Sequence, residues 1–237
     1  MKKRLELTPR LRLAADWVPQ GAALADIGTD HAYLPVWLLL QGRLRSCIAS
    51  DLRWEPLRRA RDTASRYGAA GIQFRLCDGL GGIQPQEADT IVIAGLGGEN
   101  IAEILSKAPW TADGGHRLLL QPMSRPEALR SFLSKNGYAI RREALALERE
   151  TLYVVMEASG GRGPLTLGQL YGGAKLLHDP LGNRYLIETI LRLQNAVAGL
   201  GRSASTGHPG RADHLREILG ELLEMREAWR NANGGRN

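Results

Sequence analysis

No apolar run in this sequence reaches the roughly 18 residues that a membrane-spanning helix needs, so none is expected. The N-terminus also lacks the apolar block of a secretory signal: Met1-Lys2-Lys3-Arg4 opens the chain, and Glu6, Arg10 and Arg12 break up the stretch after it. Cysteine is scarce. Cys47 and Cys77 are the only two, each beside an expected strand, with no metal-ligand spacing around them. Both are expected as buried thiols and no metal site is expected. A reducing, cytoplasmic setting is what these absences imply.

What is present is material for a core. Of 237 residues, 43% are hydrophobic and 24% charged, as in a soluble globular protein. That length suffices for one full α/β domain and a smaller appendage. The formal net charge is +6. A basic balance favours encounter with a polyanion, and phosphate contacts supply most non-specific nucleic-acid affinity, so RNA is a candidate partner. Lys2, Lys3, Arg4, Arg10 and Arg12 put positive charge on or just before the first expected helix, as a phosphate-binding face or as a solvated surface.

Thr8-Pro9 marks that helix start, and Pro19-Gln20-Gly21 ends it. Expected strands and helices then alternate. Strands are read at 23–27, 46–49, 72–76, 90–94 and 117–120. Helices are read at 33–41, 54–67, 99–107 and 126–136, the last with Ser124 as cap and Gly137 as stop. Two further strands, 139–145 and 152–158, come next with no helix between them. Helix-separated strands predict a parallel, doubly wound sheet. The closing pair predicts a hairpin and an antiparallel last strand, an ending found in methyltransferase sheets rather than dehydrogenase ones. The expected fold is therefore α/β, a Rossmann-like class I methyltransferase domain with a mostly parallel seven-stranded sheet.

Ser159-Gly-Gly-Arg-Gly-Pro164 breaks the composition and places a domain boundary, with 1–160 as the first unit and 161–237 as linker and arm. The next twenty residues read as Gly-rich and irregular. Two helices come after them. Leu186, Ile190, Leu193, Val197 and Leu200 recur at steps of four and three, as do Leu215, Ile218, Leu222, Met225 and Trp229. The polar segment 201–210 lets them fold back as an antiparallel coiled-coil hairpin, each burying its stripe against the other. Ordinary helices packed on the main domain are the alternative.

The chemistry concentrates at the ends of the first four strands. Asp26-Ile-Gly28-Thr-Asp30-His-Ala32 departs from the fingerprint Gly-x-Gly-x-x-Gly, with Asp30 and Ala32 at positions where glycine is common. A dinucleotide pyrophosphate needs bare backbone amides there, and a carboxylate repels it. S-adenosylmethionine (SAM) has no phosphate and carries a cationic amine and sulfonium, so acids in this loop suit it better. Asp30 can also simply cap the following helix. Asp51 ends the second strand, where a carboxylate can accept both ribose hydroxyls. Asp78-Gly79 comes after the third, where a carboxylate can bond an adenine amino group, although Asp-Gly is also a generic turn. After the fourth strand, Ala94-Gly95-Leu96-Gly97-Gly98 stands where many base-amine methyltransferases carry Asn-Pro-Pro-Tyr. Its glycines permit close backbone approach, leaving carbonyls to face the methyl donor at Ala94 and Gly95 and the substrate at Leu96 and Gly97. A tight turn without catalytic duty is the alternative.

Asp-Ile-Gly-Thr-Asp-His-Ala-Tyr-Leu-Pro at 26–35, Asp-Gly-Leu at 78–80 and Ile-Ala-Gly-Leu-Gly-Gly at 93–98 together resemble one family, the bacterial tRNA (adenine-N1)-methyltransferases that modify adenine 22 in the D-arm. Leu-Leu-Leu-Gln-Pro at 118–122, Leu-Thr-x-Arg-Leu at 7–11 and the C-terminal hairpin fit as well. The family usually has Asn after Gln-Pro, where this chain has Met123, so no role is placed there. The resemblance implies methyl transfer from SAM to adenine N1 in tRNA. Asp26, Gly28, Asp30, Asp51, Asp78, Gly79, Ala94 and Gly95 are then expected to hold the cofactor. Asp30, His31 and Tyr33 are the catalytic candidates: Asp30 faces the charge on the methylated ring, and His31 and Tyr33 line the base pocket. Arg10, Tyr33, Leu96 and Gly97 are expected against tRNA. The arm grips tRNA or pairs with another chain.

Three other functions stay open on the sequence: a SAM methyltransferase for another RNA or a small molecule, a dehydrogenase of similar fold, and a non-catalytic RNA-binding scaffold. Acids at all three strand ends speak against the last, and the missing glycines against the second.

Overall fold

An apolar strand, Ala22–Ile27 (β1), runs through the centre of the molecule with every residue buried. The computed structural model describes residues 5–202 and 209–234. Around β1, helices and strands alternate: Pro9–Asp16 (α1) precedes it, then Tyr33–Leu40 (α2), Leu44–Asp51 (β2), Trp54–Tyr67 (α3) and Ile72–Leu76 (β3). Thr90–Gly97 (β4), Gly98–Ser106 (α4), Arg117–Ser124 (β5), Pro126–Lys135 (α5), Tyr138–Glu148 (β6) and Thr151–Gly160 (β7) complete the layer. The seven strands form one sheet in the order β3-β2-β1-β4-β5-β7-β6. The first five are parallel, and β7 lies antiparallel between β5 and β6. The expected fold and its antiparallel hairpin ending are both present.

Alternation along the strands divides the core in two. Ile91, Ile93, Leu118 and Leu120 face one side, where Ile101 and Leu105 of α4 and Leu129 and Leu133 of α5 cover them. Val92 and Leu119 face the other, against Ala14 and Ala15 of α1 and Leu34 and Leu38 of α2. In α3, Leu57, Ala60 and Ala64 recur at the helical repeat and are buried, and Gly68 closes the helix in the left-handed region at φ 72°.

Two boundaries differ from expectation for the same reason. β4 runs on to Gly97 and β5 to Ser124, because Leu96 pairs with Pro122 and Gly97 with Ser124 beyond a bulge at Gly95. Ser124 is thus a strand residue and does not cap α5; Arg125 holds that position, at φ 53°, without a side-chain cap. The β6–β7 ladder extends to Glu148 opposite Thr151, whereas β5 pairs with β7 only through Leu118 to Leu120. The tip of this hairpin therefore overhangs the carboxyl edge of the sheet. Its two-residue turn, Arg149-Glu150, has positive φ at both positions, as the twist of the strands demands.

Beyond 160 the chain is less irregular than expected. Leu167–Gly172 (α6) is a helix, started by a reciprocal cap between Thr166 and Gln169. Gly182–Arg202 (α7) and Pro209–Ala232 (α8) come after it. Leu186, Ile190 and Leu193 of α7 bury against Ile218, Leu222 and Trp229 of α8, with Leu167 and Tyr171 of α6 packed on the same cluster. Tyr185 and Leu176 join the main core instead. Most of the polar segment 201–210 falls outside the described residues, as do Lys2, Lys3 and Arg4.

Candidate active site

A cleft of about 800 Å³ opens at the carboxyl edge of β1, β2, β3 and β4, the place where open parallel sheets bind ligands. Its first wall is the loop after β1. Gly28, Asp30 and Ala32 all take positive φ, at 70°, 44° and 53°. The loop thus keeps the backbone course of a glycine-rich turn although two of the three glycines are absent. Such conformations cost on the order of 1–3 kcal/mol each at non-glycine residues. They are held by Thr29 N–H to the Ser50 carbonyl at 2.9 Å and Ala32 N–H to the Thr29 carbonyl at 2.8 Å. Ala32, not Asp30, precedes α2, so Asp30 does not cap that helix.

The acids converge as expected. Asp26, Asp51 and Asp78 line the cleft from three neighbouring strand ends, with Gly28, Asp30, Gly79, Ala94 and Gly95 beside them. Asp26 is buried, and the Thr29 hydroxyl donates to its Oδ2 at 2.5 Å. Burial pushes its pKa up to about 6, the Thr29 bond opposing and the Asp51 charge adding to the rise. Asp51 accepts from the backbone N–H of Arg53 at 3.0 Å and of Asp30 at 3.4 Å. Among the described residues neither Asp26 nor Asp51 has an ion-pair partner. Two carboxylates without a close ion pair, Asp51 having only the longer-range charge of Arg59, fit a ligand that brings positive charge and no phosphate, which is the chemistry of SAM.

Beside this half lies an aromatic pair. The rings of His31 and Tyr33 stack with centroids 5.2 Å apart and planes within 5°, and Tyr33 remains exposed. Leu96 lines the same cleft and packs on Gly28. Gly97 does not line it: it sits behind, as the residue before α4, close to the Ser124 hydroxyl. Arg10 reaches the cleft from α1 beside Gly95.

Several contacts carried no sequence signal, although Gln121 itself stood in the Leu-Leu-Leu-Gln-Pro segment at 118–122. Arg59 of α3 donates to Asp30 Oδ1 at 2.7 Å, from 29 residues away. Lys107 reaches Asp78 Oδ2 at 3.1 Å and also holds Glu103. Gln121 accepts from Arg10 at 2.7 Å. Each arrives from an element remote in sequence, and spacing alone does not find it. Thr29 stood within the recognised loop. Cys77 also lines the cleft, half-buried, whereas Cys47 is fully buried, its thiol pushed up by that burial and by Asp26.

Comparison with known proteins agrees with this geometry. The family described as a methyltransferase domain matches residues 7–156. The tRNA (adenine(22)-N(1))-methyltransferase of Bacillus subtilis (strain 168) is 38% identical over 158 residues, 66% of this chain and 66% of the relative. The chain thus matches just under two thirds of that relative's length. The crystal structure of the B. subtilis m1A22 tRNA methyltransferase is 29% identical with a TM-score of 0.78, covering 97% of this chain and 99% of that one. A Streptococcus pneumoniae protein, provisionally described as a tRNA (m1A22) methyltransferase and solved with SAM, is 29% identical with a TM-score of 0.76. That match covers 93% of this chain and 100% of that one.

Proposed function

Because the chain belongs to the bacterial tRNA (adenine(22)-N(1))-methyltransferase family, we propose that it methylates N1 of adenine 22 in the D-arm of tRNA, with SAM as methyl donor. The observation that carries this reading is the cleft itself, where unpaired acids at neighbouring strand ends adjoin an exposed aromatic stack. SAM supplies a methyl group on a positively charged sulfur. Asp26, Gly28, Asp30, Asp51, Asp78, Gly79, Ala94 and Gly95 are the residues that would hold it.

Adenine N1 carries a lone pair in the ring plane, so no strong base is needed before attack, and the protein's task is alignment. The base must leave its stack, at a cost of a few kcal/mol. Tyr33, braced by His31, offers a face to the extruded ring, and Leu96 closes its other side. Gly97 acts one step back, through the close packing that fixes Leu96. Methylation leaves the ring cationic, and Asp30 stands by to stabilise it, sharing its charge with Arg59. Residues 1–160 carry the chemistry. Residues 161–237 form the linker and arm, whose exposed Leu191 and Leu223 are open to tRNA or to a second copy of the chain. No helix among the described residues is long and apolar enough to cross a membrane, and a tRNA substrate implies a cytoplasmic enzyme.

Purified protein incubated with labelled SAM and unmodified tRNA should yield N1-methyladenosine, lost when adenine 22 is replaced. Label absent from tRNA despite measurable SAM binding keeps the fold and sinks the substrate.

A further inference from the structure

Arg10 sits in the first turn of α1 at the rim of the cleft, yet its side chain is only 18% exposed. Its Nη1 donates to Gln121 Oε1 at 2.7 Å, and its Nε lies 3.5 Å from Glu148 Oε2. The guanidinium carbon stands 5.9 Å from the centre of the Tyr153 ring. These partners come from β5, β6 and β7, the last two from the overhanging hairpin. Gln121 is fully buried, and its amide group is fixed by donating to the Pro122 carbonyl at 2.9 Å. Glu148 Oε2 is buried and accepts no hydrogen bond, so its charge is answered by Arg10. Among the described residues nothing accepts from Nη2 of Arg10. Gly95, bulged from β4, brings bare backbone alongside: a Cβ there would lie 3.8 Å from Nη1.

An arginine that serves non-specific phosphate binding contributes mainly through its net charge, which a mobile surface side chain supplies. A guanidinium tied to Gln121 by a hydrogen bond, with Glu148 and Tyr153 beside it and its charge offset by a half-buried carboxylate, is instead a directional donor with little net charge to offer. We propose that Arg10 donates through Nη2 to N3 or N7 of the target adenine, the ring nitrogens that do not react, and that Glu148 is a positioning residue that also cancels the arginine's charge beside a ring about to become cationic. This rests on the tRNA reading above. As the N1 lone pair forms the new N–C bond, the ring takes up the positive charge that the sulfur gives up. An uncancelled guanidinium opposes that change progressively, so its penalty falls on the transition state rather than on binding.

Glu148→Gln removes the charge and keeps the shape. It is expected to lower kcat at least about tenfold, while tRNA binding in a mobility shift without methyl donor stays equal or tightens, and SAM affinity is unchanged. The double variant Arg10→Gln with Glu148→Gln loses the uncancelled charge but also the guanidinium donor, so it should stay below wild type while recovering part of the loss seen in Glu148→Gln alone. Unchanged kcat in Glu148→Gln overturns the proposal. So does a fall in kcat matched by an equal loss of tRNA binding, the mark of a merely structural residue, and so does a double variant no better than the single one. Should Glu148→Gln not fold, Arg10→Lys is read instead: it keeps the charge and loses the fork, and kcat retained by lysine overturns the directional contact. Wild-type protein is the control. If it leaves tRNA unmethylated, the substrate reading fails and takes this one with it; if it methylates, only the variants decide.

Discussion

Asp26 is a carboxyl kept from water and given no cation. Its pKa of about 6 lies above the ordinary 3.8. Between those values the folded protein holds a proton that the unfolded chain has released, so Asp26 makes stability fall as pH rises through that window. A cationic ligand favours the ionised form. SAM affinity, measured by calorimetry from about pH 5 to about pH 7.5, should therefore rise through the Asp26 titration, and Asp26→Asn should flatten that rise. A slope unaltered in the variant removes Asp26 from cofactor binding. The aromatic stack makes a separate prediction. Tyr33→Ala should forfeit about 1–3 kcal/mol of base stacking, seen as a ten- to hundredfold fall in kcat/KM for tRNA. Asp30→Asn should lower kcat by about tenfold. Tyr33→Ala should leave SAM affinity nearly intact, and full turnover in both variants assigns the ring contact elsewhere. The strand-end acids were legible because each ends an apolar run at a turn. Arg59 and Lys107 were not, since only the packing of α3 and α4 brings them in.

Among the elements, the long strands were the least legible part. Gly95-Leu96-Gly97 and Gln121-Pro122-Met123-Ser124 have no strand composition, and they pair because a bulge lets two weak segments brace each other. That pairing presses the start of α4 against the turn into α5. A Cβ on Gly98 would lie 2.3 Å from the Arg125 carbonyl oxygen and 3.0 Å from that of Ser124. Both obstacles are backbone, so Gly98→Ala should cost about 1–3 kcal/mol or more and lower Tm by several degrees in a calorimetric scan. A variant melting with the wild type would falsify the close approach. The short helix α6 shows the converse: its Thr-x-x-Gln cap was present in the sequence but stood among glycines, and packing on α5, α7 and α8 secures six residues as a helix.

For the molecule as a whole, the stripes on α7 and α8 announced a hairpin, but nothing announced how it is fastened. The fastening is a buried ion pair. Arg130 of α5 donates to Glu143 at 2.7 Å, to the Leu170 carbonyl at 2.8 Å and to the Tyr185 hydroxyl at 3.4 Å. Glu143 also accepts from the backbone N–H groups of Ala174 and Lys175. Arginine and glutamate are read from sequence as surface residues, which is why the pair was invisible. Arg130→Met should cost about 3–5 kcal/mol in denaturant unfolding by leaving Glu143 buried without its cation. A smaller loss would show that the helices dock by apolar contact alone. The same pair bears on how the protein is made. Arg130 leaves the ribosome well before its partners at Leu170 and Tyr185, the latter 55 residues behind. The seven-stranded sheet is complete in sequence at Gly160, but at that moment Arg130, one of the innermost charges beside it, still lacks two of its acceptors. Synthesis thus holds the sheet and its helices short of their final packing until the start of the arm emerges, so a chain truncated before the arm is disfavoured at birth.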